Sequence, residues 1–138
     1  MPIPITALRR CAVSALALLI AALALPAGAE APAVPDVSQQ QARDWIASGE
    51  APLFLDVRTP AEFAGGHVPG AINIPHDALP ARTAELAKHE GEPVVVYCES
   101  GRRAAIAAAA LQQAGFAEVR HLAGDMSGWR AAGLPVEK

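Results

Sequence analysis

Val94-Val95-Val96-Tyr97 is a run of four β-formers with no apolar–polar alternation, and Cys98 follows it directly. A strand of this kind has both faces covered, which is the habit of parallel sheets. The segments around it alternate in type. Ser38-Gln39-Gln40-Gln41 has the spacing of a capping box, Ala42, Trp45 and Ile46 give the next turns an apolar face, and Gly49 stops them. Pro52 to Val57 reads as a short strand, and Thr59-Pro60-Ala61-Glu62 opens a helical turn with proline at its first position. A helix is expected within Leu79 to His89, an alanine-rich one from Arg102 to Gln113 that Gly115 ends, and a strand over Val119-Arg120-His121-Leu122. Trp129 is placed to pack a short terminal helix. Strands interleaved with helices predict an α/β fold, a small three-layer sandwich with a central parallel sheet. Trp45, Phe54, Ile106 and Leu111 are its expected core residues.

The chain has 138 residues, and its apolar excess of 52% is concentrated at the N-terminus. Arg9 and Arg10 precede an uncharged run from Cys11 to Leu25, Pro26 breaks it, and Ala27-Gly28-Ala29 supplies a small-x-small cleavage pattern. This is the three-part layout of a secretory signal peptide over residues 1–29. The run is short for an anchor, which needs about 20 apolar residues. The expected order is a signal peptide (1–29), a short tail with Pro32 and Pro35 (30–36), and one domain (37–138). Removing Arg9 and Arg10 makes the net charge of −3 more negative by two. An exported, periplasmic, monomeric protein with no membrane attachment after cleavage is expected. A basic face for nucleic acid is lacking.

With Cys11 removed, Cys98 is the one cysteine left, so no intrachain disulfide can form. An odd cysteine in an oxidising compartment is a candidate reactive thiol. Its surroundings strengthen that reading. Cys98 lies at the carboxyl end of a strand of a parallel sheet, where functional groups gather. The loop Cys98-Glu99-Ser100-Gly101-Arg102-Arg103 leads into a helix whose free N–H groups and dipole favour a thiolate and an anion. Gly101 frees the turn, and Arg102 and Arg103 add positive charge. No Cys-x-x-Cys exists for a dithiol cycle. His67, His76, His89 and His121 lack metal-ligand spacing, and none is singled out as a partner for the thiol.

The loop CESGRR, the string DVRTPAEFAGGHVPGAINIP from Asp56 and the string LAGDMSGW from Leu122 together resemble the active loop and flanking motifs of the single-domain rhodaneses, the thiosulfate sulfurtransferase family. The resemblance runs from about Val34 to Pro135 and implies a rhodanese-like fold. It implies that Cys98 accepts a sulfane sulfur from a small anionic donor and passes it to a thiophilic acceptor, with no metal and no cofactor. The amides of Glu99, Ser100, Gly101, Arg102 and Arg103 become the cradle for persulfide and donor. Arg103, closing the loop, is expected to face the donor, and Arg102 to face solvent or brace the loop. Asp56 and Arg58 are expected to brace neighbouring loops as a structural polar network. Two departures stand out. The family's terminal motif usually has two adjacent glycines where this chain has Gly124-Asp125, and Glu99 sets a carboxylate next to the thiol, where it is expected to point to solvent.

Two alternatives of other classes follow from the same residues. A non-enzymatic persulfide carrier or interaction module, delivering to a larger exported partner, would use the same loop. A phosphatase or arsenate reductase would need a roomier loop than the one from Cys98 to Arg103, where four residues intervene and Ala104 takes the longer-spaced position. For the leader, N-terminal sequencing of the exported protein should begin at Glu30; a mature chain that still contains Cys11 would exclude the cleavage.

Overall fold

The computed structural model describes residues 33–138. The signal peptide expected over residues 1–29, and the start of the tail after it, lie outside the described residues. Five parallel strands form one sheet in the order β1-β5-β4-β2-β3: β1 (Asp36–Val37), β2 (Leu53–Asp56), β3 (Ile72–Asn73), β4 (Val94–Tyr97) and β5 (Val119–Leu122). The last residue of the expected tail, Asp36, thus already belongs to an edge strand, in register with His121. Helices α1 (Gln39–Ser48), α2 (Pro60–Ala64), α3 (Leu79–Arg82), α4 (Arg102–Gln113) and α5 (Asp125–Ala131) connect and cover the strands. The architecture is a three-layer α/β sandwich around a central parallel sheet, as expected.

The central strand explains the layers. All four residues of β4 are buried. Val94 and Val96 enter one core with Leu55, Leu79, Leu86 and Leu111, under α3 and α4. Val95 and Tyr97 enter the other with Phe54, Leu122, Met126 and Trp129, under α1 and α5. Burying one such large side chain stabilises the fold by about 1.5–3 kcal/mol.

Local chemistry sets the helix ends. Ser38 accepts the Gln41 N–H at 3.1 Å, and Gly49 closes α1 with φ of 76°. Thr59 and Glu62 cap each other reciprocally at the start of α2, behind Pro60. The segment expected as one helix from Leu79 to His89 divides, four residues of α-helix giving way to a 3₁₀ turn from Thr83 to His89. Thr83 is β-branched and a weaker helix former than its neighbours. Ile106 corrects another expectation, for it is 52% exposed. The inward face of α4 is Ala104, Ala107, Ala108 and Leu111, spaced for one helical stripe, and Ile106 falls between its rows.

The sheet order places the site. From β2 the chain continues outward to β3, and from β4 through α4 it continues to β5 on the other side. The carboxyl ends of β2 and β4 therefore flank a switch point, where such sheets open a crevice. Asp56 ends β2 and is fully buried, with Arg58 2% exposed beside it. Arg58 donates from Nε and Nη2 to the Asp56 carboxylate, the shortest contact being 2.7 Å, and from Nη2 to the Gly66 carbonyl at 2.8 Å. Burial works against the guanidinium charge, but the hydrogen bond and charge of Asp56 outweigh it and hold its pKa above the usual arginine value. Asn73 donates to the Asp56 and Arg58 carbonyls, both at 2.9 Å, tying β3 to the same corner. Asp56→Ala should destabilise the domain by about 3–5 kcal/mol in urea unfolding, because it strands a buried cation; a loss below about 1 kcal/mol would show that this pair does not hold the corner.

Candidate active site

Cys98 leaves β4 at its carboxyl end and is 1% exposed. Its amide donates to Asp125 Oδ1 at 3.0 Å. Its carbonyl accepts from the Met126 amide at 2.9 Å, and the Glu99 carbonyl accepts from the Ser127 amide at 3.1 Å. The start of α5 thus holds the outer side of the loop by its carbonyls. Gly101 follows with φ of 106°, a conformation open to glycine, and its amide donates to Cys98 Sγ at 3.0 Å. The same residue caps α4, so the sulfur sits before the positive end of a 12-residue helix. The sulfur thus meets one backbone donor and a helix N-terminus, the kind of environment that favours an anionic sulfur.

The other loop residues divide. Ser100 and Arg102 are exposed. Arg103 turns toward the thiol side and holds Glu62 in a two-pronged contact, 2.8 Å to Oε2 and 3.0 Å to Oε1. The hydrogen bond to Glu62 holds the Arg103 pKa above its usual value, with the charges of Glu62 and Cys98 adding to it. Reciprocally, the Arg103 bond lowers Glu62 to about 2, so Glu62 stays ionised. Glu99 corrects its expectation. It is drawn onto two guanidiniums, Arg58 at 3.5 Å and Arg130 of α5, because the loop passes between them. A cavity of about 300 Å³ opens here, walled by Arg58, Glu62, Glu99 and Arg130 with Met126 and Val136. Its two cations and two carboxylates are all engaged in ion pairs.

Asp56 and Arg58 meet the loop through Glu99, as a brace behind it. Glu62, His121, Asp125 and Arg130 were not among the sequence candidates. Glu62 was visible as a helix-capping residue, and Asp125 as an acid in a glycine-rich turn. His121 reaches the loop through Asp125, whose Oδ2 lies 3.0 Å from its Nε2. Of the other histidines, His67 stacks on Phe63 at 3.6 Å and His89 contacts Glu92 at 3.1 Å. Among the described residues no group of three His, Cys, Asp or Glu side chains is arranged to hold a metal ion.

Residues 38–132 match the family model described as the rhodanese-like domain. The chain belongs to the rhodanese-like domain family. It is 37% identical over 103 residues to a sulfurtransferase of Allochromatium vinosum, covering 75% of this chain and 94% of that one. It is 37% identical over 120 residues to the chloroplastic thiosulfate sulfurtransferase 16 of Arabidopsis thaliana, covering 79% and 98%. Among solved structures, the human single-domain sulfurtransferase TSTD1 aligns with a TM-score of 0.61 and 32% identity over 72% of this chain and 97% of that one. In this rhodanese-like domain the close approach at Gly101 has a direct consequence. A Cβ there would lie 3.1 Å from Asp125 Oδ2, on a backbone that side chains rarely adopt. Gly101→Ala should cost about 1–3 kcal/mol of stability and slow alkylation of Cys98 by iodoacetamide; unchanged melting and alkylation would show that the loop tolerates another path.

Proposed function

We propose that this domain is a sulfurtransferase that moves a sulfane sulfur through a persulfide on Cys98. The observation that carries the reading is the Gly101 amide on Sγ at the head of α4, in a loop whose Cys98 and Glu99 carbonyls are already taken by α5. Thiosulfate is the proposed donor. The Cys98 thiolate attacks its outer sulfur, an S–S bond forms to Cys98, and the S–S bond of the donor breaks with its electron pair leaving on sulfite. A thiolate or cyanide acceptor then attacks the outer sulfur of the persulfide and returns Cys98 as thiolate. A preformed thiolate needs no general base. The loop amides stabilise the negative charge, and Arg103 offsets it from the side while Glu62 fixes the guanidinium plane. The relatives named as sulfurtransferases support the reaction class, and the likeness extends along nearly their whole length.

Intact-mass spectrometry before and after thiosulfate tests the half-reaction: the protein should gain one sulfur atom at Cys98, and Cys98→Ser should gain none while melting like the parent. Retained turnover in a folded Cys98→Ser variant would eliminate the covalent route. Arg103→Ala should lower kcat/KM for thiosulfate by about tenfold or more, the loss of one charged contact, because it also leaves Glu62 uncompensated beside the sulfur. Arg102→Ala should cost less; the reverse order would reassign the two arginines.

A further inference from the structure

Asp125 is the sole non-glycine with positive φ among the described residues, at 53°, and it is 2% exposed. Left-handed backbone at a side-chain-bearing residue costs about 1–3 kcal/mol and persists where the surroundings enforce it. Here the surroundings are specific. Oδ1 accepts the Cys98 amide, and Oδ2 faces His121 Nε2, both at 3.0 Å. The opposite ring nitrogen, Nδ1, faces Asp36 Oδ1 at 2.8 Å. A carboxylate on each side means that both nitrogens donate, so the ring is an imidazolium. The chain Asp36–His121–Asp125 therefore runs from the edge strand β1 to the backbone of the reactive cysteine.

We propose that Asp125 and His121 form a positioning pair beneath the thiol loop, in which Asp125 fixes the Cys98 amide and protonated His121 cancels the carboxylate charge that would oppose the thiolate and an anionic donor. The pair acts in the sulfur-transfer reaction given above and rests on that reading. Without Asp125 the Cys98 amide loses its partner; without the proton on His121 a buried negative charge lies under the loop. The hydrogen bond to Asp125, with a smaller contribution from Asp36, holds His121 up to about 9 against the opposing effect of burial. The pair is therefore charged and balanced at neutral pH, and the balance is lost as pH rises through about 9. The stability it contributes follows the same sign, full below the ordinary histidine value of 6.5 and lost on passing the raised one. The groups packed against His121 are Asp36 of β1, Asp125 of α5 and Gly101 of the loop. Gln39 of α1 brings a neutral amide to the Ala123 carbonyl nearby, and Arg120 on the same strand pairs with Glu118 at 4.0 Å.

The test uses His121→Gln, His121→Lys and the double variant His121→Gln/Asp125→Asn. Two readouts run across neutral and alkaline pH: kcat/KM with thiosulfate, and the rate of Cys98 alkylation by iodoacetamide, which is uncharged. His121→Gln should be slower than the parent at neutral pH by about five- to tenfold in both, the scale of one unbalanced charge acting across several ångströms, and should lack the parent's alkaline fall in kcat/KM. Removing the carboxylate charge as well should recover much of that loss, although the double variant is further from the parent sequence. His121→Lys, which keeps a positive charge, should stay nearer the parent and carry its fall to higher pH. NMR titration of the His121 ring in the parent and in Asp125→Asn is independent of the loop's chemistry; its midpoint should drop toward the ordinary histidine value when the carboxylate is removed. A double variant as slow as His121→Gln, an alkaline fall retained in His121→Gln, or an unmoved ring titration would overturn the pair. If the parent fails to transfer sulfur while the alkylation pattern holds, the functional reading fails and the pair stands.

Discussion

The loop after Cys98 brings the Gly101 amide onto the sulfur while its outer carbonyls are held by another element. Met126 and Ser127 at the start of α5 donate to the carbonyls of Cys98 and Glu99, and with those oxygens fixed outward the Gly101 amide meets Sγ at 3.0 Å. Backbone groups can be arranged this way only where each has a partner. The loop is thus shaped from outside, by a helix that follows it by more than twenty residues in sequence. Trp129, 1% exposed and bonded to the Pro135 carbonyl at 2.8 Å, seats that helix on the sheet.

Charge around the sulfur is balanced in pairs. Arg103 is matched by Glu62, Arg58 by Asp56 and Glu99, Arg130 by Glu99, and His121 by Asp36 and Asp125. At the thiol the Gly101 amide and the α4 dipole supply positive potential, and the side-chain cations around it are fixed in direction by their acids. Preorganised dipoles need no rearrangement when charge develops, and they act more strongly where water is excluded. Arg58 joins the two strand ends flanking the crevice, from the terminus of β2 to the residue after Cys98.

Much of the fold was legible because the signals were local. The unalternating run of β4, the caps at Ser38 and Thr59, and the glycine stops each act within a few residues. Where a signal was diffuse the reading failed. An alanine-rich helix has little apolar contrast around its circumference, so Ile106 was assigned to the core although it faces out. The stretch from Leu79 to His89 has helical composition, but its second half winds more tightly as a 3₁₀ turn. Glu99 was assigned to solvent because a carboxylate turned toward the thiol would oppose an anionic donor; the partners it finds, Arg58 and Arg130, arrive from 41 and 31 residues away.

The sequence by itself determined the alternation of strands and helices, the position of one cysteine at a strand end ahead of a helix, and the turn that Gly101 allows. These follow from residue type and spacing over one or two turns of chain. Tertiary structure alone decided which charges meet: that Arg103 settles on Glu62, that Glu99 bridges two arginines, and that Asp125 lies between the Cys98 amide and His121. Ion pairs depend on distances of a few ångströms between residues far apart in the chain, and only the packing of α2, α5 and β1 around the ends of β4 and β5 sets those distances.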